Sequence, residues 1–325
     1  MDFLGNFKPT TTTTLSVDPP GGTGTPSNPH HTGHPHHSHL PLPTMSLPSP
    51  TPVYLEATDV GRSTLWVVFV IFTLGLLGVG IMALRVEKRA RIFHWCSAGV
   101  LTIAMVSYLV MSTGLGISYV SIHDHTVEAA TNHLFREVYY ARYIDWLFTT
   151  PLLLLSLAFL AGLSPADTVL VISADVFMIV TGLMSTLVPA RSTDGERSRW
   201  LWYGISCAFF LGIWFILLTG GRQAAALRPK KTRGLFNLLG GMTLLLWTAY
   251  PIVFGLTEGA NILSVDVEIV AYAVLDVAAK VGFTFLLLII HSHGDEDTWT
   301  LPDWFVEPRH GQGEGGRYGA IRVEE

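Results

Sequence analysis

Seven apolar stretches, each about as long as a membrane-spanning helix, constrain this chain more than any other feature. They cover residues 64–84, 95–115, 139–159, 167–188, 200–219, 235–256 and 268–291. A bilayer core of about 30 Å requires roughly 20 apolar residues in a helix. Only 14% of the residues are charged, whereas soluble domains carry about 25%. The sequence therefore predicts an all-α membrane protein with seven transmembrane helices.

The two ends of the chain differ in composition from the middle. Residues 1–60 are rich in Thr, Pro, Gly, Ser and His, and such a segment buries too little apolar surface to offset the ordering of the chain. We predict a disordered extracellular tail over 1–60, a seven-helix domain over 61–292 and a cytoplasmic tail over 293–325. The first 20 residues lack a basic start and an apolar core, so no cleavable signal peptide is predicted.

The distribution of Lys and Arg between the short loops predicts the orientation, because cytoplasmic loops are rich in these residues. Nine follow the first and fifth segments: Arg85, Lys88, Arg89, Arg91, Arg222, Arg228, Lys230, Lys231 and Arg233. Four lie in the loops of the other side: Arg136, Arg191, Arg197 and Arg199. The N-terminus is therefore predicted outside and the C-terminus in the cytoplasm, with the plasma membrane as the expected location.

The histidines and cysteines give weaker signals. A His-rich patch at 30–39 fits either a transition-metal site or a solvated low-complexity tail, and we favour the tail. No metal site is therefore predicted. Cys96 and Cys207 both fall inside apolar segments, which argues against a disulfide framework.

Ionisable residues inside the apolar segments are the candidates for function, since each is costly in a membrane unless it is paired. They are Arg142, Asp145, Asp175, Asp276 and Lys280. Arg142, Asp145 and Thr149 are spaced i, i+3 and i+7, so they share one helix face. Asp276 and Lys280 lie one turn apart on another helix. We predict that one cation and two carboxylates, Asp145 and Asp276, converge around Lys280.

Two readings of this cluster remain open at this point. It is either a structural ion-pair network or the binding site of a flat apolar ligand. Several aromatic residues favour the ligand: Trp146, Trp202, Tyr203, Trp247, Tyr250 and Phe254. A desolvated lysine is also a ready nucleophile toward an aldehyde. The protonated product would need a counter-ion, which Asp145 and Asp276 can supply.

Three motifs on three segments resemble the microbial rhodopsins, the family of bacteriorhodopsin. They are RYIDWLFTTPLLLL (142–155), WTAYP (247–251) and LDVAAKVGF (275–283). The fungal branch looks nearest, on VYYARYIDW (138–146), IVAYAVLDV (269–277) and the ending GAIRVEE (319–325). The resemblance covers about residues 63–292 and implies seven helices around a retinal pocket.

The resemblance also implies roles at matching positions. Lys280 would form the Schiff base with all-trans-retinal. Asp145 would be the counter-ion and proton acceptor, with Thr149 hydrogen-bonded beside it, and Asp276 and Arg142 would complete the counter-ion cluster.

Further positions follow from the same resemblance. Tyr108 and Tyr250 would donate hydrogen bonds to the counter-ion cluster, and Glu258 and Glu268 would be the extracellular proton-release carboxylates. Thr150 and Asp175 would pair between the third and fourth helices. The cofactor-binding residues would be Lys280, Trp146, Thr150, Asp175, Trp202, Tyr203, Ser206, Trp247, Tyr250 and Phe254.

One departure from the family's pattern affects the predicted function. Outward proton pumps of this family usually place Asp or Glu where this chain has Ser156, about 16 Å along the helix from the acceptor. Serine has no proton to give near neutral pH, and we expect it to make a helix–helix hydrogen bond. The sequence predicts a light-driven outward proton pump with a slow cycle, and the alternative is a photosensor without significant transport.

The remaining expectations concern class and partners. The carboxylate at Asp145 disfavours a chloride pump, which needs an anion-accepting neutral residue there. We expect no enzymatic activity. Membrane lipids and protons are the expected partners and nucleic acid is not, while a homo-oligomer and a signalling partner stay open.

Overall fold

The structure is a computed structural model that describes residues 51–122 and 132–292. Seven of its helical segments are long and apolar enough to cross a membrane: Asp59–Leu84, Ile92–Ser112, Tyr140–Ala161, Pro165–Leu187, Thr193–Ala226, Lys230–Gly259 and Val265–Ile290. Each of the seven predicted segments overlaps one of these spans. The chain is therefore an integral, multi-pass membrane protein, as predicted.

The helices and strands have the following bounds. The α-helices are α1 (Asp59–Leu84), α2 (Ile92–Ser112), α3 (Tyr140–Ala161), α4 (Pro165–Leu187), α5 (Thr193–Ile216), α6 (Arg222–Ala226), α7 (Lys230–Phe254), α8 (Val265–Asp276) and α9 (Phe283–Ser292). A short 3₁₀-helix covers Lys88–Ala90, and π-helical segments cover Leu217–Gly221, Gly255–Gly259 and Val277–Gly282. The strands are β1 (Thr51–Leu55), β2 (Ser118–Ser121) and β3 (Asn132–Val138). The fifth and seventh spans are thus each two α-helices joined through a π-helical segment.

Local sequence accounts for where several helices begin and end. Ser164, Ser192 and Ser264 precede α4, α5 and α8, and each side chain accepts a hydrogen bond from a backbone N–H of the first turn. Such caps satisfy amides that have no partner within the helix. At the other end of α3, Gly162 adopts a left-handed conformation with φ +74°, which favours glycine and stops the helix.

Apolar side chains point both into the bundle and away from it. On α1, Leu65 and Phe72 are buried, whereas Leu74 and Leu77 are about 60% exposed. The exposed set faces lipid in a membrane, so its exposure is not a defect of packing. Burial differs among the spans: 61% of the most apolar window of α3 is buried against 22% in α1. This difference places α3 in the interior, where its polar residues are enclosed by protein.

A three-stranded sheet covers the end of the bundle where α2 ends and α3 begins, and we call this the sheet end. The central strand, β3, pairs parallel with β1 and antiparallel with β2. Glu137 of β3 is buried and accepts a hydrogen bond from the Ala57 backbone N–H at 2.7 Å. Burial raises the pKa of the Glu137 carboxyl.

The sheet corrects one predicted boundary. Residues 51–60 were assigned to a disordered tail, but Thr51–Leu55 form β1 and α1 begins at Asp59. The segment is ordered because β1 obtains its hydrogen bonds from β3, a partner about 80 residues away in the chain that composition cannot reveal. Residues 1–50 and 293–325, including the His-rich patch, lie outside the described residues.

The cysteines agree with the sequence analysis. Cys96 and Cys207 are both free thiols. Within the two described ranges, no group of three His, Cys, Asp or Glu side chains is placed to hold a metal ion.

Candidate functional site

Lys280 lies in the π-helical segment Val277–Gly282 of the seventh span, and it is 1% exposed. Its Nζ contacts Asp145 Oδ2 and lies 3.3 Å from Asp276 Oδ1. The structure therefore brings together the cation and the two carboxylates that the sequence predicted to converge. An unpaired charge at this depth would be costly, so the three groups stabilise one another and hold the amine in one place.

Asp276 is surrounded by hydrogen-bond donors. Tyr108 Oη donates to Asp276 Oδ2 at 2.7 Å, and Tyr250 Oη donates to Oδ1 at 2.8 Å. Trp146 Nε1 donates to the same Oδ1 at 3.1 Å. Both tyrosines are therefore where the resemblance placed them. Three donors and the ammonium of Lys280 stabilise Asp276 as an anion.

Asp145 has far fewer partners. Its Oδ2 contacts the Lys280 ammonium, while its Oδ1 has no hydrogen-bond partner among the described residues. Thr149 was expected to hydrogen-bond beside this carboxylate. Instead, Thr149 Oγ1 donates to the backbone carbonyl of Asp145 at 2.9 Å, because a threonine four residues along a helix readily bonds that carbonyl. Asp145 thus keeps an oxygen available for a proton.

Arg142 was expected to complete the counter-ion cluster, but the structure pairs it with Glu268 instead. Its Nη1 donates to Glu268 Oε1 at 3.0 Å, and its guanidinium lies 4.5 Å from the centroid of the Tyr272 ring. No hydrogen bond joins Arg142 to Asp145 or Asp276 in the described part of the chain. Long helical side chains point back toward the N-terminus of their helix, which directs Arg142 to the sheet end.

Glu258 and Glu268, the predicted release carboxylates, are both buried at the sheet end. Glu268 forms salt bridges with Arg136 at 2.9 Å and with Arg142 at 3.0 Å. Glu258 Oε2 instead contacts two hydroxyl groups, those of Tyr143 and Thr186. The two carboxyl groups therefore occupy different electrostatic environments.

A cavity bounded mainly by α3, α4, α5 and α7 opens onto Lys280. Its walls are mostly apolar and aromatic, with few polar atoms. The lining residues are Tyr143, Trp146, Thr150, Leu153, Met178, Ile179, Gly182, Tyr203, Ser206, Cys207, Phe210, Trp247, Tyr250, Pro251, Phe254, Tyr272, Ala279 and Lys280. Of the ten predicted cofactor-binding residues, all but Asp175 and Trp202 line this cavity.

The prediction that Trp202 binds the cofactor is wrong, because Trp202 lies on the outer surface of α5 and is 36% exposed. The cavity is lined by Tyr203, Ser206 and Phe210 of the same helix. One residue turns the helix by about 100°, so Trp202 lies beyond the edge of the lining face.

Asp175 lies behind the lining rather than in it. It is fully buried, and its Oδ2 is 2.7 Å from Thr150 Oγ1, as the predicted pair between the third and fourth helices requires. Thr150 Oγ1 is also 2.7 Å from the Trp146 carbonyl oxygen. One hydroxyl hydrogen cannot serve two acceptors, and a proton on Asp175 would resolve this conflict.

Ser156 lies on α3 toward the end of the bundle opposite the sheet. Its Oγ donates to the Leu152 carbonyl of the same helix at 2.9 Å. Cys96 of α2 lies close enough to interact with this side chain, and the expected hydrogen bond between helices stays a prediction. No carboxyl group takes part in these contacts.

Comparison with known proteins agrees with this architecture. Residues 60–293 match the family described as bacteriorhodopsin-like protein. Opsin-1 of Neurospora crassa is 36% identical over 297 residues, which cover 89% of this chain and 93% of the relative. The chain therefore belongs to the bacteriorhodopsin-like family. Membership implies a retinal chromophore.

Solved structures of this family include transporters of different ions. A light-driven proton pump from Leptosphaeria maculans is 39% identical, with a TM-score of 0.70 over 74% of this chain and 99% of that one. Halorhodopsin, a light-driven chloride pump, is 29% identical, with a TM-score of 0.66 over 73% of this chain and 98% of that one. The fold alone therefore does not distinguish a proton pump from a chloride pump. That distinction depends on the side chains near Lys280.

Sequence reasoning missed four buried residues near the site. Arg136 and Arg199 were counted only as loop cations, and Tyr143 and Tyr272 were not singled out although both line the cavity. Helical spacing contained a signal for Tyr272, which precedes Asp276 by four residues and so shares its face. No local pattern marks Arg136, because its burial depends on the pairing of β3.

Proposed function

We propose that this protein is a light-driven outward proton pump that carries retinal on Lys280. The observation that carries the proposal is the unequal pair of carboxylates at the amine. Asp276 accepts hydrogen bonds from Tyr108, Tyr250 and Trp146, whereas Asp145 has one oxygen without a partner among the described residues. Of the two, Asp145 is the group able to take a proton from Lys280 Nζ.

The cavity suits a long, flat, apolar chromophore attached at its inner end. Among the described residues, the only amine in the lining is that of Lys280, and the walls include Trp146, Trp247 and Tyr250. At the far end Tyr203 and Phe254 stack with ring centroids 5.1 Å apart. Retinal, when bound, supplies absorption of visible light and a light-driven change of shape. These residues would hold it, and the buried polar groups would face its attachment point.

The proton steps follow from the charges around Lys280. A proton held on Lys280 Nζ is stabilised in the dark by Asp145 and Asp276. Transfer to Asp145 neutralises one cation and one anion together, so the net charge of the buried cluster does not change. Asp276 remains an anion, because its three hydrogen-bond donors stabilise the charged carboxylate and would bind a neutral carboxyl group more weakly.

The exit route lies at the sheet end. Asp145 is five residues from the first residue of α3, and Arg142, Glu268 and Glu258 continue toward the sheet. The excess of Lys and Arg in the loops at the opposite end favours placing that end in the cytoplasm. On this orientation a proton that leaves by the sheet end moves outward, and the N-terminal tail lies outside the plasma membrane.

The side chain at position 145 argues against chloride transport, and the proposed cycle involves no enzymatic reaction. A carboxylate at Asp145 repels chloride from the space beside Lys280. The cycle we propose returns every group of the protein to its starting state without converting a substrate. Lipids and protons are then the partners that the function requires.

The second candidate is a photosensor, and Ser156 is the observation that favours it. Its hydroxyl donates to the Leu152 carbonyl and offers no acidic proton. A long-lived state in which Lys280 Nζ lacks its proton would suit signalling better than transport.

The test is the light-induced pH change of cells that express the full chain and are loaded with all-trans-retinal. We expect the medium to acidify in the light, and a protonophore to abolish the change by short-circuiting net charge movement. Cells without added retinal are the control. A coloured protein that moves no protons would favour the photosensor, and an apoprotein that never becomes coloured would reject both candidates.

We expect Ser156→Asp to speed the return of the proton to Lys280 Nζ and to make it less sensitive to pH. In the wild type the proton must enter from cytoplasmic water, so its supply falls about tenfold per pH unit. An acid at 156 makes the transfer internal, provided that desolvation keeps it neutral. Flash photolysis between about pH 5 and 9, with and without azide as a small weak acid, measures this recovery.

The matched control is Ser156→Asn, which has the size of aspartate but carries no acid. It should recover slowly, as the wild type does, and should be accelerated by azide. Recovery of the wild type within milliseconds, independent of both pH and azide, would mean that another residue donates the proton.

A further inference from the structure

We propose that Arg136 is a positioning residue for proton release: it holds Glu268 as a permanent anion, so the proton released at the sheet end comes from Glu258. This inference rests on the proposed pump. It divides the roles of two carboxyl groups that the resemblance treats as a pair, and it gives a role to an arginine outside every predicted motif.

Arg136 belongs to the sheet but acts inside the bundle. It lies on the central strand β3, opposite Leu55 of β1 and Val120 of β2. The side chain is 2% exposed, and its guanidinium donates to the Leu263 carbonyl at 3.0 Å and to Glu268 Oε2 at 2.9 Å. Strand pairing on both sides fixes the backbone, and the Leu263 carbonyl fixes the guanidinium. The position of the Arg136 guanidinium is therefore fixed by the fold and does not depend on its attraction to Glu268 alone.

Glu268 is enclosed by positive charge. It is fully buried in the first turn of α8, and each of its carboxylate oxygens binds a different arginine, Arg136 or Arg142. Two cations beside one carboxyl group favour its ionised form, and the positive end of the helix dipole adds to this. If the Arg142 contact breaks during the cycle, Arg136 still pairs with the carboxylate. Glu268 therefore has no proton to release.

Glu258 is a buried carboxyl group whose oxygens form no ion pair among the described residues. Arg199 is 2% exposed, and its Nη1 donates to the Glu258 backbone carbonyl at 2.7 Å and not to the carboxyl group. Among the described residues, the Glu258 carboxyl group hydrogen-bonds only to the hydroxyls of Thr186 and Tyr143. Burial without a directly paired cation favours the neutral, protonated acid.

The hydrogens around Glu258 support the same assignment. Tyr143 Oη and Thr186 Oγ1 both contact Glu258 Oε2, and they are 2.5 Å from each other. These three contacts need three hydrogens, and the two hydroxyl groups supply only two. A proton on Glu258 supplies the third. The arrangement thus fits a Glu258 that stores a proton in the dark.

The experiment reads carboxyl protonation directly, by infrared spectroscopy of the retinal-loaded full chain. The dark spectrum of the wild type minus the dark spectrum of Glu258→Gln should show a protonated-carboxyl band. The dark spectrum of the wild type minus the dark spectrum of Glu268→Gln should show no such band. In light-minus-dark spectra the same band should be lost as a pH-sensitive dye reports proton release. A protonated-carboxyl band that disappears in Glu268→Gln but persists in Glu258→Gln would overturn the assignment.

Arg136→Gln tests the positioning role. Loss of one charge-assisted hydrogen bond should raise the protonated fraction of Glu268 and slow proton release roughly tenfold or more. Arg136→Lys keeps the charge and should restore most of the release rate. Arg197→Gln is the matched control, since Arg197 is 78% exposed, and it should behave as the wild type. Unchanged carboxyl bands and release in Arg136→Gln, with pigment formed normally, would refute the role of Arg136.

These readouts separate the inference from the proposed pump. A wild type that forms pigment but transports no protons would refute the pump, while the dark spectra would still assign the proton to Glu258 or to Glu268.

Discussion

Lys280→Ala should abolish formation of a coloured protein on addition of all-trans-retinal. In the part of the chain that the structure describes, Lys280 supplies the only amine that lines the cavity, and it is held between Asp145 and Asp276. The other lysines of the described residues, Lys88, Lys230 and Lys231, lie at or beyond helix ends and cannot replace it. Absorbance in the visible range measures the effect, which should be a complete loss of the band.

A folding defect must be separated from this result. Removal of the cation leaves two buried carboxylates facing each other, and breaking a buried ion pair costs about 3–5 kcal/mol. Lys230→Ala is the matched control and should keep its colour. As a measurement on the unaltered chain, borohydride reduction followed by peptide mass spectrometry should locate the retinyl group on the peptide that contains Lys280. A normal visible band in Lys280→Ala, or a label on another peptide, would contradict the attachment site.

The helices and the charges inside them could be predicted because both signals are local. Hydropathy over about 20 residues identifies a span without knowledge of its neighbours. Spacing along one helix likewise placed Asp276 one turn from Lys280. The convergence of Asp145 on the same amine followed because burial of a charge requires a partner. These constraints operate within one segment or between groups with few alternatives.

The three-stranded sheet at the sheet end could not be predicted in the same way. β1 and β3 lie about 80 residues apart in the chain, and their pairing has no local signature. As a result, Arg136 was counted as a loop cation, although it is buried and bonded to Glu268. Arg199 of α5 was counted in the same way, although it is buried and bonded to the Glu258 and Val188 carbonyls. Counting cations predicts orientation on average, but it cannot tell a solvated arginine from one enclosed by a sheet.

The sequence also could not predict which hydrogen-bond partner a buried polar side chain would select. Thr149 and Arg142 share the predicted face with Asp145, yet neither bonds to its carboxylate. A shared face allows a contact but does not select it. Thr149 donates to a nearby backbone carbonyl instead, and Arg142 binds Glu268, which lies nearer the sheet end. These two differences leave Asp145 with an open oxygen.

Asp145→Asn should shift the absorption of the retinal-loaded protein to longer wavelength and abolish net proton transport. The side chain at 145 contacts Lys280 Nζ, so its negative charge stabilises the positive charge held there in the dark. Loss of that charge raises the ground-state energy more than that of the excited state, in which the positive charge has moved away, and the excitation gap narrows. Transport fails for a separate reason, since asparagine cannot accept the proton that leaves Lys280.

Asp175→Asn is the matched control for this prediction. It makes the same substitution at an equally buried aspartate, but one that bonds to Thr150 rather than to Lys280. Its colour and its transport should change much less than those of Asp145→Asn. In the wild type, acid should protonate Asp145 and produce the same shift to longer wavelength, and this shift should be absent from the acid titration of Asp145→Asn. If neither the substitution nor acid moves the absorption band, Asp276 is the main counter-ion, and its three hydrogen-bond donors do not prevent it from controlling the charge on Lys280.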